Sequence, residues 1–292
     1  SSDVCSSDLA NDPGMAARMQ QIENQTNSFI AAHKYQTNSS QAIVTIPVVF
    51  HVVYANASQN ISDSQCQAQL NQLNLDYARL NADASSTPSA FTGVAANTQI
   101  QFCLAVRDPN GNATTGVIHK STTTSSFSSN DNVKRSSTGG DDAWDASQYL
   151  NIWCCNLGGG LLGYAQFPGG AAATDGVVFL YSSIGSVAQP GTYSPYNLGR
   201  TATHEVGHWL NLRHINGDTN CGNDLVSDTP TQQALNFGCP AFPHVTCSNG
   251  PNGDMFMNYM DYTDDGCMNI FTAGQAARMQ ALFTTEIGRA HV

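Results

Sequence analysis

Residues 204–214 read His-Glu-Val-Gly-His-Trp-Leu-Asn-Leu-Arg-His, and their types and spacing suit metal chemistry. His204 and His208 are four apart, so on a helix they project from one face and can hold one ion. Glu205, next to the first, is placed to act as general base toward a water on that ion. His214 lies too far along a straight helix to share the face, and reaches the same ion only if the chain turns sharply. Asn211 suits such a turn, because Asn tolerates left-handed backbone better than any residue except Gly. Three neutral imidazoles with one open position is how a catalytic zinc is built. His-Glu-x-x-His by itself also arises on ordinary solvated helix faces. The third His at a turn-permitted offset makes the reading specific.

A second group follows at Asn258-Tyr259-Met260-Asp261-Tyr262. Together the two motifs resemble the metzincin zinc peptidases, specifically the pappalysin (cytophagalysin) group, in which the zinc motif is followed by a tight turn carrying a Met beneath the metal. The likeness continues through Ile46-Pro47-Val48-Val49-Phe50-His51-Val52-Val53-Tyr54, Tyr149-Leu150-Asn151-Ile152-Trp153, Leu162-Gly163-Tyr164-Ala165, Asp228-Thr229-Pro230 and Cys267-Met268, and spans residues 43–285. It implies Met260 under the ion and Tyr262 reaching toward it. The metzincin motif has Gly where this chain has Asn211, a departure that bears on the turn and not on the ligands.

The resemblance implies an α/β fold of two lobes. A twisted mixed five-stranded sheet, with a backing helix and an active-site helix, forms the upper lobe over residues 43–211, above the cleft. An irregular, disulfide-stapled lower lobe over 212–285 ends in a helix. It implies an edge strand that pairs with extended substrate, for which residues 161–167 are the candidate. It also implies an acidic residue, just after the Met turn, at the base of the pocket that takes the side chain following the cut bond. Asp265 occupies that place with Asp264 as competitor, and a carboxylate there favours Arg or Lys. Asp218, Asp224 and Asp228, with Thr229, crowd one oxygen-rich loop of the kind calcium uses, and lobes of this type bind calcium; the same residues equally cap turns. Four cysteines within 221–267 allow three pairings, and the resemblance favours Cys221–Cys247 with Cys239–Cys267.

The elements that must position these residues are legible in outline. The β-branched run 43–54 reads as a buried strand. Ser62 or Asp63 caps a helix running to about Arg79, with Leu70, Leu73, Tyr77 and Leu80 on one face. Strands follow at 99–107, 149–156 and 175–181, with a turn at 108–112 and a Ser/Thr-rich exposed loop at 121–140. The active-site helix covers 200–211, with Thr201 or Thr203 near its start, and a last helix covers 272–283. Cys66 and Cys103 join the first helix to a strand or remain buried thiols, while adjacent Cys154 and Cys155 point to opposite faces of theirs. The Gly158-Gly159-Gly160 run lacks the Lys-Ser/Thr of a phosphate loop.

The two ends are of another kind. Residues 3–9, back-translated, give a DNA whose reverse complement encodes residues 286–292 residue for residue, and that DNA looks like a sequencing-library adapter. Residues 1–9 and 286–292 are therefore read as non-native scars. Residues 10–42, polar with a short helix near 14–32, are read as a propeptide remnant or N-terminal extension. Formal net charge is −11 for the whole chain. Setting aside Asp3, Asp8, Glu286 and Arg289 leaves about −9, which disfavours nucleic acid or an anionic membrane as partner. No apolar run reaches the length of a membrane span. An even count of eight remaining cysteines fits a secreted, disulfide-bonded chain.

The expectation is a secreted, monomeric zinc endopeptidase that takes peptide or protein substrates and is restrained by an inhibitory propeptide. Zinc and calcium are its expected ions. The rival is a secreted scaffold or adhesion protein whose zinc is structural, against which Glu205 argues, since a structural site has no use for a base.

Overall fold

In a computed structural model of the chain, residues 12–33 and 43–283 are described. The regions 1–11, 34–42 and 284–292, which include both scars, lie outside them. The central strand β1 (Val44–Tyr54) is the apolar run anticipated from the sequence. On one edge it pairs in parallel with β2 (Ile100–Leu104) through Val44–Val48 and then with β3 (Val117–Ser121) through Phe50–Tyr54. On its other edge lies β4 (Leu150–Cys155), followed by β6 (Val177–Leu180), both parallel, and finally β5 (Gly163–Ala165), antiparallel to β6. The sheet thus has six strands where five were expected. It is five positions wide, because the turn at 108–112 lets β2 and β3 share one position end to end.

Alternation along the strands sends two apolar faces in opposite directions. Val48, Phe50, Val52, Ile152, Cys154, Val177 and Phe179 form one core with α2 (Asp63–Tyr77), α3 (Arg200–Trp209) and α4 (Ala273–Ala281). Val53, Trp153, Cys155, Val178 and Leu180 face the other way. Among the described residues no α-helix covers that second face; the Ser/Thr-rich segment covers it instead, inserting Phe127 and, from a short 3-10 turn, Val133. The expectation of an exposed loop at 121–140 holds for much of the segment but not for buried Phe127, Val133 and Lys134, because a parallel sheet needs cover on both faces. Ser62 caps α2, accepting from the Gln65 N–H. Leu70, Leu73 and Tyr77 are buried on its face, but Leu80 lies past its end and is 71 % exposed, contrary to expectation. α1 (Met15–His33) packs against α4, and its Met15, Ile22, Thr26 and Phe29 are buried. Between α3 and α4 the chain holds only one short 3-10 turn, stapled by Cys221–Cys247 and Cys239–Cys267. Thr272 opens α4 with a reciprocal capping box to Gln275. No helix of the described residues is long and apolar enough to cross a membrane.

Cys66 and Cys103 do not join α2 to β2: both are thiols, Cys66 buried and Cys103 exposed. The β2 alternation decides this, since Phe102 turns toward α2 and Cys103 turns away from it. Cys154 and Cys155 are buried thiols on opposite faces. Burial pushes Cys66 up to about 12 and raises Cys154 and Cys155 further. A thiol reagent applied to the native protein, with the sites mapped by mass spectrometry, is expected to label Cys103 and to reach Cys66, Cys154 and Cys155 only after unfolding. Recovery of Cys103 disulfide-linked to Cys66 would contradict the arrangement.

Candidate metal centre

α3 is buried along almost its whole length, between the sheet and the stapled segment. Ala202, Val206 and Trp209 face the core, which turns His204 and His208 toward the cleft. The helix ends as a Schellman turn: the Leu212 N–H reaches the Gly207 carbonyl, and the Asn211 N–H reaches that of His208. Asn211 supplies the left-handed residue at φ 71°. The reversal returns His214 to the first two rings. Nε2 of His208 lies 3.0 Å from Nε2 of His204 and 3.1 Å from Nε2 of His214.

The outer ring nitrogens are all engaged. Nδ1 of His204 donates to the Tyr259 carbonyl at 2.6 Å, and Nδ1 of His208 to that of Leu212 at 2.8 Å. Nδ1 of His214 faces the Asp218 carboxylate. Carbonyl oxygens only accept, so the Nδ1 atoms of His204 and His208 carry protons. Burial, and then the neighbouring imidazoles, hold both rings well below the ordinary His range, hence neutral. Their Nε2 lone pairs therefore point at one another across about a hydrogen-bond distance with no proton to share. Such an arrangement fits a cation at the common point, and three imidazole nitrogens suit zinc. Among the described residues, these three His form the only group of three or more His, Cys, Asp or Glu whose ligand atoms all lie within 4.8 Å of one another.

Three further residues close around this point. Glu205 is buried under the edge strand β5: a Cβ added at Gly163 would sit 2.9 Å from its Cγ and 3.0 Å from Oε1. Tyr262 brings its hydroxyl to 3.0 Å from Nε2 of His214. Met260 is fully buried beneath α3, where a Cβ at Gly207 would meet its Sδ at 2.6 Å. The glycine between the two helical His residues is thus a matter of space for Met260. Sequence reasoning passed over that signal, and also the Tyr259 carbonyl and Asp261. Asp261 accepts from Gln232 and from both the backbone and side chain of Asn236, tying that segment to the Met turn.

The other expected residues go elsewhere. Asp265 is buried, and its Oδ2 accepts the N–H groups of Leu198 at 2.7 Å and Arg200 at 3.2 Å, at the start of α3. Neither Thr201 nor Thr203 caps that start; Thr203 instead donates to Asp76. In the expected calcium loop the carboxylates have separate hydrogen-bond partners. Asp218 serves His214, Asp224 accepts from Thr229 and the Val226 N–H, and Asp228 accepts from Thr272 and the Gly274 N–H at α4.

Comparison with known proteins gives matches over most of the chain. The family model for peptidase M43, described as pregnancy-associated plasma protein-A, matches residues 133–284. An extracellular metalloprotease of Pyricularia oryzae is 37 % identical over 254 residues, covering 83 % of this chain and 76 % of the relative. One from Arthroderma benhamiae is 34 % identical over 242 residues, covering 81 % and 76 %. Among solved structures, Tannerella forsythia mature mirolysin in complex with a cleaved peptide has TM-score 0.82 and 55 % identity, covering 86 % of this chain and 94 % of its own. A promirolysin mutant from the same organism has TM-score 0.86 and 51 % identity, covering 95 % and 90 %.

Two outcomes test the geometry. Asn211→Gly is expected to keep the fold, whereas Asn211→Val forces a β-branched residue into left-handed backbone and is expected to cost about 1–2 kcal/mol in urea denaturation. Burial raises Asp265 to about 7, above its unfolded value of about 3.9. The folded form therefore holds this proton more tightly, so the contribution of Asp265 grows as pH falls from above 7 toward 4 and is lost as pH rises. Asp265→Asn is expected to flatten that part of the stability–pH curve.

Proposed function

The chain belongs to the peptidase M43 family of metalloproteases, and from that premise we propose that it is an extracellular zinc endopeptidase with Glu205 as general base. The observation that carries this reading is the convergence of three imidazole Nε2 atoms beside the buried Glu205, beneath the edge of a sheet. His204, His208 and His214 would hold the ion. Bound zinc supplies Lewis acidity, lowering the pKa of a coordinated water toward neutrality. Substrate adds as a strand to the outer edge of β5, its main chain held without regard to side chains. Glu205, next to Gly163 of that strand, takes the proton of the attacking water and passes it to the leaving amine. The Tyr262 hydroxyl, aimed at the same point, donates to the developing oxyanion.

Asp265 lies at the start of α3, one turn before His204, and one of its oxygens is committed to backbone N–H groups. We assign its carboxylate to the pocket that takes the residue after the cut bond, with preference for Arg or Lys. Mirolysin is known in pro and mature forms, which supports an inhibitory role for an upstream segment here as well.

Glu205→Gln is expected to retain one zinc per chain while casein cleavage falls by roughly a hundred- to ten-thousand-fold. Loss of zinc from a folded Glu205→Gln protein would speak against the assignment, and casein left intact by the metal-loaded wild type would favour a non-catalytic scaffold. Cleavage-site profiling on a peptide library is expected to show Arg or Lys after the cut bond, shifting in Asp265→Asn. A purely apolar preference there would remove the pocket role.

A further inference from the structure

The turn that brings His214 back to the other two rings is gripped from outside. The carbonyl of Asn211, the left-handed residue of that turn, accepts from Nε of Arg278 on α4 at 3.3 Å. Arg278 is 1 % exposed, so its charge needs a partner. That partner comes from α1: Glu23 accepts from both terminal nitrogens, at 2.9 and 2.7 Å, in a two-pronged pair. A second contact reaches the same residue, the side-chain amide of Asn211 donating to Thr26 of α1 at 3.5 Å. The other end of α1 reaches the segment after β5, where Arg18 Nε donates to the Gly169 carbonyl at 2.6 Å. α1 therefore touches both the metal-bearing turn and the exit of the edge strand. Burial pushes the Glu23 carboxyl up, and Arg278, with smaller help from Arg213 and Asn27, more than offsets this, leaving it below its ordinary value.

We propose that Arg278 is a positioning residue for the metal centre, and that Glu23 of the N-terminal helix is its buried counter-charge, so that α1, which lies in the expected propeptide segment, braces the turn joining His208 to His214 in the uncleaved chain. The proposal rests on the zinc reading above. The guanidinium fixes the Asn211 carbonyl, and with it the left-handed turn that sets the approach of His214. Glu23 holds the guanidinium in place against its alternative neighbour Asp224, which also feels the charge of Arg278. The mechanism is one of retention: a loosened turn lets His214 leave the ion more often, and zinc then escapes faster.

The test is the rate at which the full-length, zinc-loaded protein releases zinc to excess chromogenic chelator. Removing partners that orient metal ligands weakens metal binding by about 10–100-fold, so Arg278→Gln is expected to release zinc on the order of tenfold faster. Arg278→Lys keeps the charge without the fork and is expected to fall between it and wild type. Glu23→Gln is expected to accelerate release as well, and the double variant to be no faster than Arg278→Gln, because Glu23 acts through Arg278. Lys134→Met, in the core on the other face of the sheet, supplies a matched destabilisation. Equal acceleration by Lys134→Met at equal loss of Tm would make Arg278 merely structural and overturn the proposal, as would wild-type release rates in folded Arg278→Gln. Should Arg278→Gln fail to fold, Glu23→Gln decides, and an unchanged rate there sinks the idea. A wild-type chain that binds no zinc overturns this and the proposed function together; peptide cleavage with zinc release indifferent to both residues overturns this inference alone.

Discussion

The structure is organised around a repulsion. The neutral imidazoles of His204 and His208 present lone pairs to each other at 3.0 Å, with Nε2 of His214 3.1 Å from that of His208, in a place water reaches poorly. Left to itself such a cluster would open, or one ring would take up a proton. Burial opposes the proton, because a charged ring there loses its hydration. The Tyr259 and Leu212 carbonyls oppose rotation, because turning either ring would strand both its Nδ1–H and a buried carbonyl. What relieves the cluster without dismantling it is a cation, and the surrounding contacts keep the rings ready for one. The free energy of metal binding is in this sense partly set before the metal arrives.

Each of those contacts depends on an element placed by packing elsewhere. The Tyr259 carbonyl is held because the Tyr259 N–H is bonded to Ile270 and the Met260 N–H to the side chain of Asn258, itself paired with Gln275 of α4. Met260 fills the space that Gly207 leaves, so α3 and the turn below it approach as closely as the backbone allows. The Met260 carbonyl then accepts from Ile215, the residue after His214. A buried Met thus couples the helix, the turn and the third ligand by contact rather than by coordination.

The extent to which this was readable in the sequence follows a physical divide. His204, His208, Asn211 and His214 announced themselves, because helical spacing and left-handed tolerance are local properties of the chain. β1 was equally plain from its β-branched apolar run, and α3 from the spacing of its two His residues. The helix expected at 272–283 is opened in the structure by Thr272, whose cap involves residues three apart. Non-local relations were hidden. Nothing near Arg278 points to Glu23, 255 positions away. Nothing in 121–140 says that its Phe127 and Val133 must cover a sheet face. The three loop aspartates looked like one cluster because they are close in sequence, yet their partners lie in three different places. The lateral sharing of one sheet position by β2 and β3 was invisible for the same reason, since pairing partners are not written in either strand.

The start of α3 shows how far a buried helix depends on such distant partners. Gly199 precedes it with no side chain to offer, and the N–H groups there are buried. Asp265 supplies the missing acceptor from the far side of the Met turn. The same end carries Arg200, fully buried, whose guanidinium is shared among Asp76, Asp83 and the Met268 carbonyl and lies over the Tyr259 ring. A buried charge set of this kind adds little net stability, because desolvation consumes most of the attraction. Its effect is positional: any shift of α3 along its axis would leave Arg200 or Asp265 buried and unpaired, which costs several kcal/mol. With Arg200 and Asp265 fixing one end, and the Schellman turn at Asn211 held by Arg278 at the other, His204 and His208 sit on a helix that cannot slide. A metal site of three rings tolerates errors of only a few tenths of an ångström in its ligands, and polar partners at both ends deliver that tolerance where an apolar core alone would allow the helix to drift.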